Sequence, residues 1–488
     1  MRLRSSGFLK WSSLPPEIRH MILNTIVDLK NPRWAGLASV SKEWQSVIGV
    51  RNMAKLKLQT PSCFDGFEKI VQQRHLVKHI YLCVELPKYD CTLCKARTRT
   101  PSFSRDSSIF SHAIGKILSI LSTWKTQGPL TLELNAVSCS NTGHWAKNLR
   151  FDDDHDESPR QDLTFAESTR HDPLHGWVNG TQVRPPSFLA MQQLFGPLTL
   201  GYDSYDPVTV VTSLLIRRQF RRCLEPSSLD RLLSQLVCLT DIIYDLWSIM
   251  YTYTFPCFYF DFSRLKREEA IGMILPKTLK SLILFQHSVE HHTQSAYQDP
   301  NYQRFRNIRN RLDIQNKSSQ FLAQTSLRLE QVSVSFLISA GEFLAACREE
   351  WTWEHLQSLA LSFQGSGKHH QEGINSLLLS TAKVALRMPK LETLVLWSGE
   401  QGTTCAFIYT RNEYCARVVW RGTWDLDISQ EVLKAWEAVA ALYSLELTVE
   451  HERIQEVIRS CGDAIHHLNL PCQIIQPTSL WQMRVEEA

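Results

Sequence analysis

Apolar residues recur at helical spacing in two short runs near the start of the chain. Pro15-Pro16 suits the first turn of a helix, where an N–H would have no partner, and Glu17 follows where the positive helix end favours an anion. Asn31-Pro32 separates the runs. The apolar positions are Ile18, Met21, Ile22, Ile26 and Leu29, then Leu37, Val40, Trp44, Val47 and Ile48. Because two short amphipathic helices cannot bury all of this surface, we predict a helical module over residues 1–55 that another part of the chain or another protein covers.

A second pattern, apolar-x-x-apolar-x-apolar, repeats along the rest of the chain. The alternation at its end predicts a strand. Helical spacing between copies, as over 226–239, 341–349 and 375–388, predicts intervening helices, and this order favours parallel strands joined by right-handed crossovers. The copies are Val77-Ile80-Leu82, Val211-Leu214-Ile216, Leu239-Ile242-Tyr244, Leu279-Leu282-Leu284, Leu329-Val332-Val334, Leu356-Leu359-Leu361, Leu391-Leu394-Leu396 and Ile465-Leu468-Leu470.

The fold class expected for residues 56–488 is therefore α/β, and two architectures fit the pattern. An irregular solenoid similar to leucine-rich repeats would stack its units over one continuous core and leave a curved face open. An ordinary α/β domain could share the same strand pattern. We expect the solenoid, and since several intervals exceed the roughly 20–29 residues of such repeats, they must hold insertions.

Three stretches interrupt the repeating pattern. Residues 138–186 and 286–320 are polar and read as insertions or loops. Residues 403–424 differ, because two alternating apolar segments flank Arg411-Asn412-Glu413 and predict an inserted antiparallel hairpin near the C-terminal end. A helix with Trp436 on its inner side is expected to follow over 430–442.

Composition and charge exclude several classes of protein. The chain has 488 residues, 43% of them hydrophobic, and 53 basic residues against 49 acidic ones give a net charge of +4. This balance makes nucleic acid an unlikely partner. Thirteen cysteines without a secretory leader predict reduced thiols in the cytoplasm, the nucleus or both. The most apolar stretch, 232–262, contains Asp241 and Asp245, so we read it as core and expect no membrane partner.

No residue pattern nominates a catalytic, cofactor or metal site. Cys91 and Cys94 have the spacing of zinc ligands, but a second pair is missing nearby, so two thiols in a loop remain the alternative. No spacing joins a nucleophile to its base. We therefore expect a protein that is not an enzyme and uses no cofactor, while a metal-dependent activity hidden in the repeats stays open.

Arg217, Arg218, Arg221 and Arg222 form the densest basic cluster, at the end of a predicted strand. Functionally, four guanidinium groups could grip a phosphorylated or acidic peptide of a target by bidentate pairing. Structurally, they could pair with carboxylates of neighbouring repeats. The sequence leaves both possibilities open.

The order Leu-Pro-Pro-Glu-Ile at 14–18 followed by Val-Ser-Lys-Glu-Trp at 40–44 resembles an F-box, over about forty residues. This resemblance implies binding to the Skp-type adaptor, and through it to the cullin scaffold, of an SCF ubiquitin ligase. Trp44 either lies in the adaptor surface or packs inside the module. The adaptor-binding residues implied are Leu14, Pro15, Pro16, Glu17, Ile18, Ile22, Val40, Ser41 and Trp44.

The C-terminal half is similar to a group of fungal F-box proteins with degenerate leucine-rich-like repeats. The segments RVVWRGTWDLDI and DAIHHLNLPCQIIQPTSLWQ carry this similarity, which implies no chemistry. Together the two resemblances imply a substrate-recruiting subunit of an SCF-type ligase that holds an unknown protein target. The alternative is an F-box scaffold that acts without ubiquitination of a target.

Overall fold

A computed structural model gives the fold of the chain. The structure describes residues 11–29, 34–59, 63–64, 67, 74–90, 102–125, 128–141, 171, 173, 177–179, 181–183, 193–201, 205–247, 275–287, 310–365, 367 and 370–487. Cys91 and Cys94 lie outside the described residues, as does most of the polar stretch 138–186.

Helices and strands alternate along most of the described chain. The helices are α1 Pro16–Leu29, α2 Lys42–Ala54, α3 Ser102–Ser122, α4 Pro226–Gln235, α5 Asn310–Ser326, α6 Ala340–Ala346, α7 Gln371–Ala385, α8 Gln430–Ala441, α9 Cys461–Leu468 and α10 Pro477–Glu487. The strands of the main sheet are β1 Lys55–Gln59, β2 His79–Leu86, β3 Thr131–Ser138, β7 Ser213–Ile216, β9 Asp241–Trp247, β10 Ser281–His287, β11 Gln331–Ser335, β12 Ser358–Ser362, β13 Thr393–Glu400, β14 Thr403–Arg411, β15 Ala416–Gly422 and β16 Leu447–Arg453. Short strands pair outside it: β4 Trp177–Val178 with β5 Thr181–Gln182, and β6 Pro197–Leu198 with β8 Cys223–Leu224.

The main sheet has twelve strands, and neighbours in the sheet follow one another along the chain. From β1 to β13 every pair is parallel, which confirms the predicted α/β class. The second apolar position of seven copies of the repeated pattern lies in one row across the sheet, which Leu56 of β1 and Leu132 of β3, not predicted by the pattern, extend. That row is Leu56, Ile80, Leu132, Leu214, Ile242, Leu282, Val332, Leu359 and Leu394.

Helices α3 to α8 cover the face of the sheet that carries this row, called the helix-side face below. One continuous core joins Ile114 of α3, Leu232 of α4, Phe321 of α5 and Trp436 of α8 to the strands. The predicted helices are present, with bounds that differ by a few residues. Local capping explains two of them: Pro226 opens α4, and Ser339 with Glu342 closes a capping box at α6.

The predicted hairpin is present as β14 and β15, which pair antiparallel. It is not set apart from the repeats, because β14 also pairs antiparallel with β13 and β15 pairs in parallel with β16. Gln401-Gly402 makes the two-residue turn from β13 to β14, and Gly402 has φ +86°, a conformation that glycine adopts without strain.

Two predictions of local structure are wrong. Residues 465–470 were expected to end in a strand, but Ile465 and Leu468 lie in α9. An i, i+3 pair fits a helix as well as the repeated pattern, and Ser460 caps this helix by accepting a hydrogen bond from the Asp463 N–H. In the polar stretch 286–320, the described residues from 310 onward begin α5 instead of forming a loop.

The opposite face of the sheet is called the tail-side face, and residues 454–487, called the tail, cover it between β10 and β15. A second core lies between them. Its sheet residues are Phe285, Ala360, Val395, Trp397, Ala406, Ile408 and Val419, and its tail residues include Ile454, Ile458, Ala464, Ile465, Leu468, Ile474, Ile475 and Met483. The sheet is therefore buried on both faces between β10 and β15. No described helix is long and apolar enough to cross a membrane.

Candidate functional site

The N-terminal module packs around a core of four buried residues, Leu23 and Val27 from α1 and Val47 and Ile48 from α2. Half-buried side chains surround this core. They are Trp11, Trp34, Leu37, Ala38 and Trp44. The centre of the Trp44 ring lies 5.3 Å from the centre of the Trp11 ring, so Trp44 contributes to the packing of the module itself.

The predicted adaptor-binding residue Ser41 and the nearby Glu43, which was not predicted, have clear structural roles in the module. Ser41 caps α2, because its Oγ accepts a hydrogen bond of 3.3 Å from the Trp44 N–H. Glu43 joins the two helices by accepting from Trp11 Nε1 at 2.9 Å and from Arg19 Nε at 2.7 Å. The hydrogen bond from Trp11, with the charge of Arg19, holds the pKa of the Glu43 carboxyl below its usual range.

Apolar side chains remain exposed on the module after its core is complete. Ile18 is 42% exposed, Met21 64% and Val40 59%. Pro15 is exposed beside them in sequence, and these four residues are called the module surface below. Of the other predicted positions, Pro16, Glu17 and Ser41 are exposed, while Leu14, Ile22 and Trp44 are half-buried. Met21 was not among the predicted site residues, although its position one turn after Ile18 could have identified it.

The structure buries all four residues of the arginine cluster to at least 95%, so none of them is exposed for a peptide while the tail is in place. Arg217 donates through Nε to Glu133 of β3, whose other oxygen lies 2.7 Å from His79 Nε2. Arg222 donates to Asp106 of α3 at 2.7 Å and to the Gln193 carbonyl. These two arginines thus pair with carboxylates of neighbouring segments, the alternative that the sequence left open.

Arg218 and Arg221 are held by the tail. Both donate to Glu486 of α10, Arg218 through Nε at 3.2 Å and Arg221 through Nη2 at 2.9 Å. The Arg218 guanidinium also lies 3.5 Å from the centre of the Trp247 ring. Burial lowers the pKa of Arg221, and the Glu486 charge partly offsets this effect. The two guanidinium groups therefore form a clamp on one carboxylate.

Asp245 of β9 lies beside this clamp and is also buried. Its carboxylate accepts from the Gln476 N–H at 3.3 Å and from the Ser479 hydroxyl, which itself accepts from the Arg218 N–H. Burial raises the pKa of Asp245 to about 7, against the opposing effect of these hydrogen bonds and of Arg218 and Arg217. Buried groups with shifted pKa values are typical of functional sites, although structural ion pairs also produce them.

The side of α10 that meets the sheet is polar. Ser479, Gln482 and Glu486 follow one another at spacings of three and four residues, and all three are at least 97% buried. Gln482 Nε2 donates to Glu486 at 2.8 Å. Sequence reasoning missed this contact because Glu486 lies 265 residues from Arg221. The only available signal was the polar spacing within α10 itself.

The described residues contain no group of three or more His, Cys, Asp or Glu side chains placed to hold a metal ion. The arrangement thus offers two places for protein contact, the module surface and the site of Arg218, Arg221, Asp245 and Trp247, called the clamp site below. Chemically, the first can bind apolar side chains, and the second can bind a carboxylate together with a hydroxyl group.

Comparison with known proteins gives one family and no function. Residues 274–476 match the model of a family of unknown function, DUF6546. The match spans less than half of the chain, begins just before β10 and ends just before α10. No curated protein matches the chain. Because the matched segment excludes residues 1–55, it does not bear on the F-box resemblance.

Proposed function

We propose that the protein is a substrate-recruiting subunit of an SCF-type cullin–RING ubiquitin ligase. The observation that carries the proposal is the module surface, where Ile18, Met21 and Val40 expose apolar side chains although the core behind them is complete. Exposed apolar residues at neighbouring turns of a helix, such as Ile18 and Met21, are typical of protein-binding sites. In this proposal they bind the Skp-type adaptor, as the F-box resemblance implies.

We further propose that residues 56–488 form an irregular leucine-rich-repeat-like solenoid attached to an F-box at residues 1–55. The row of apolar residues across nine parallel strands supports repeating units. The tail-side face would then be the inner face of the solenoid, where such repeats hold a partner. Every described cysteine is a free thiol, which suits the cytoplasm or nucleus.

The proposed protein acts by proximity and not by chemistry of its own. The F-box would fix it to the adaptor and cullin, and the repeats would hold a target near the ubiquitin-loaded enzyme, raising the effective concentration of the target's lysines. One observation favours the scaffold alternative: the tail covers the inner face between β10 and β15, so a target has no access to that part of the face while the tail is docked.

Co-purification of the full chain with the Skp-type adaptor and cullin tests the proposal. Ile18→Arg puts a charge into the module surface, so it should abolish capture, and the Leu14→Ala, Pro15→Ala double variant should weaken capture. Leu29→Arg is the matched control, since Leu29 is also an exposed apolar residue of α1, at its other end, and this variant should leave capture intact. Circular dichroism verifies that each variant is folded.

Failure of the wild-type chain to capture the adaptor would reject the receptor and the scaffold together. If the adaptor is captured, F-box-dependent turnover of a bound protein separates the two. Turnover that needs Ile18 supports a receptor, and a stable complex without turnover supports a scaffold.

A further inference from the structure

The two helices of the tail are attached to the sheet by different chemistry. α9 is held by apolar contacts, with Ala464, Ile465 and Leu468 in the second core. It lies so close to β13 that a Cβ at Gly399 would be 2.7 Å from the Ala464 Cβ. Such tight apolar packing is typical of a permanent part of a fold.

α10 meets the sheet mainly through polar groups. Met483 is its one fully buried residue in the second core, with Leu480 partly buried beside it. α10 also packs on α9, where Arg484 donates through Nε to Asp463 at 3.0 Å and a Cβ at Gly462 would be 2.9 Å from the Arg484 backbone N. Its polar contact with the sheet is made by Ser479, Gln482 and Glu486 at the clamp site. Burying charged groups costs desolvation energy that pairing offsets only when the geometry is good, so this polar contact stabilises the docked helix less than apolar packing of similar size would.

α10 does not satisfy all the hydrogen-bond donors of the two clamp arginines. One carboxylate is shared by two guanidinium groups, and in the described part of the chain Nη1 and Nη2 of Arg218 are buried without a hydrogen-bond partner. Buried donors are normally satisfied, and an unsatisfied one lowers the stability of the contact that buries it. The site therefore has capacity for a stronger acceptor than the one it holds.

We propose that α10 is an intramolecular ligand of the clamp site, and that the site recognises a helix bearing a hydroxyl, an amide and a carboxylate at the spacing of Ser479, Gln482 and Glu486. The partner is then an acidic helical segment of another protein that takes the place of α10. That this partner is the ligase target rests on the proposed function, whereas the release of α10 does not. A helix is favoured over an extended peptide because the three contacts lie on one helical face.

A fluorescently labelled synthetic peptide of residues 474–487, titrated into the full chain, tests this inference. The tethered α10 competes at high effective concentration, so the wild-type chain should bind the peptide weakly. Glu486→Ala releases the chain's own helix, so this chain should bind the peptide at least about tenfold more tightly. Adding Arg218→Met and Arg221→Met should abolish binding. Glu330→Ala, which removes an exposed ion pair with Lys280, is the control chain and should behave as wild type.

Two results would overturn the inference. One is a Glu486→Ala chain that is folded but does not bind the peptide. The other is equal binding of a shuffled peptide that keeps the composition and charge but moves the serine, glutamine and glutamate off one face. The first makes α10 a fixed element, and the second makes the clamp site a simple anion site.

If the Glu486→Ala chain does not fold, hydrogen exchange of the wild-type chain tests whether α10 is released from the sheet. Amides of α10 should exchange at least about tenfold faster than those of α9, because a releasable helix opens without the rest of the fold. Equal rates would show that α10 opens only with the whole structure and would overturn the proposal. The Ile18→Arg capture experiment is independent, since its surface lies on the N-terminal module.

Discussion

The four clustered arginines look equivalent in the sequence but are held by two different parts of the molecule. Arg217 and Arg222 pair with Glu133 and Asp106, which belong to the neighbouring strand and helix. Arg218 and Arg221 share Glu486 of the tail. The first pair is thus part of the interior of the sheet domain, and only the second pair would become accessible if α10 moved.

Asp245 should make the stability of the protein fall as the pH rises. Its pKa of about 7 in the folded chain lies above the ordinary 3.8, so folding favours the protonated carboxyl. The stability that protonation provides is complete below pH 4 and is lost between about pH 4 and 7, at up to about 1.4 kcal/mol per pH unit. Urea denaturation between pH 4 and 7 should show that the free energy of unfolding falls less with rising pH in the Asp245→Asn chain than in the wild type.

The wild-type and Asp245→Asn curves must be compared as a difference, because burial also raises the pKa of Asp106 in both chains. Asparagine keeps the shape of the side chain and removes its titration. If the two stability curves run parallel from pH 4 to 7, Asp245 does not carry a raised pKa in the folded protein.

Among the elements, the contact of α9 with β13 sets the position of the tail. In Gly399→Ala, the new Cβ would lie 2.7 Å from the Ala464 Cβ and 3.2 Å from Thr404 Oγ1, so α9 must shift. We expect a loss of about 1–3 kcal/mol in the free energy of unfolding, as for other overpacked sites. Urea denaturation measures it.

Gly373→Ala in α7 is the matched control for this substitution. Nothing lies within 4 Å of a Cβ at Gly373, and alanine favours a helix, so stability should rise by up to about 1 kcal/mol. A Gly399→Ala chain as stable as this control would mean that α9 does not pack on β13 as described.

The sequence predicted the elements that depend on local pattern and missed those that depend on distant contacts. The repeated apolar positions identified the parallel strands, because Leu282 or Leu359 must face a core wherever the chain runs. The tail was misread, since Ile465 and Leu468 suit either a strand or a helix and only the packing on Trp397 and Ile408 decides between them. The sequence pattern also could not predict the burial of Arg218, because its partner Glu486 comes from the other end of the chain.

At the scale of the whole molecule, the sheet divides the interior into two cores with different neighbours. The helix-side core extends along the whole sheet, whereas the tail-side core stops near β10. Beyond it, towards β3, the tail-side face carries Glu133, Arg217 and Asp245. This change from apolar to charged explains why α9 and α10, although adjacent in the chain, are bound so differently.

The described residues of the N-terminal module include four buried core residues, so the module should be the least stable part of the protein, and under the proposed function the adaptor should stabilise it. We expect amides of α1 and α2 to exchange with solvent faster than those of the main sheet when the chain is alone. Binding adds about 2.7 kcal/mol of stability at an adaptor concentration about 100 times the dissociation constant, which corresponds to about 100-fold slower exchange. Hydrogen exchange measured by mass spectrometry, with and without the adaptor, tests this expectation.

The Ile18→Arg chain gives the control, because its module should exchange at the same rate with and without adaptor. Slow exchange of α1 and α2 in the free chain would mean that the main domain stabilises the module. The exposed apolar residues would then not require a bound partner. Fast exchange that saturating adaptor does not slow would mean that the adaptor binds elsewhere. The combination of a small core and an exposed apolar surface is explained only if the adaptor slows the exchange and Ile18→Arg prevents it.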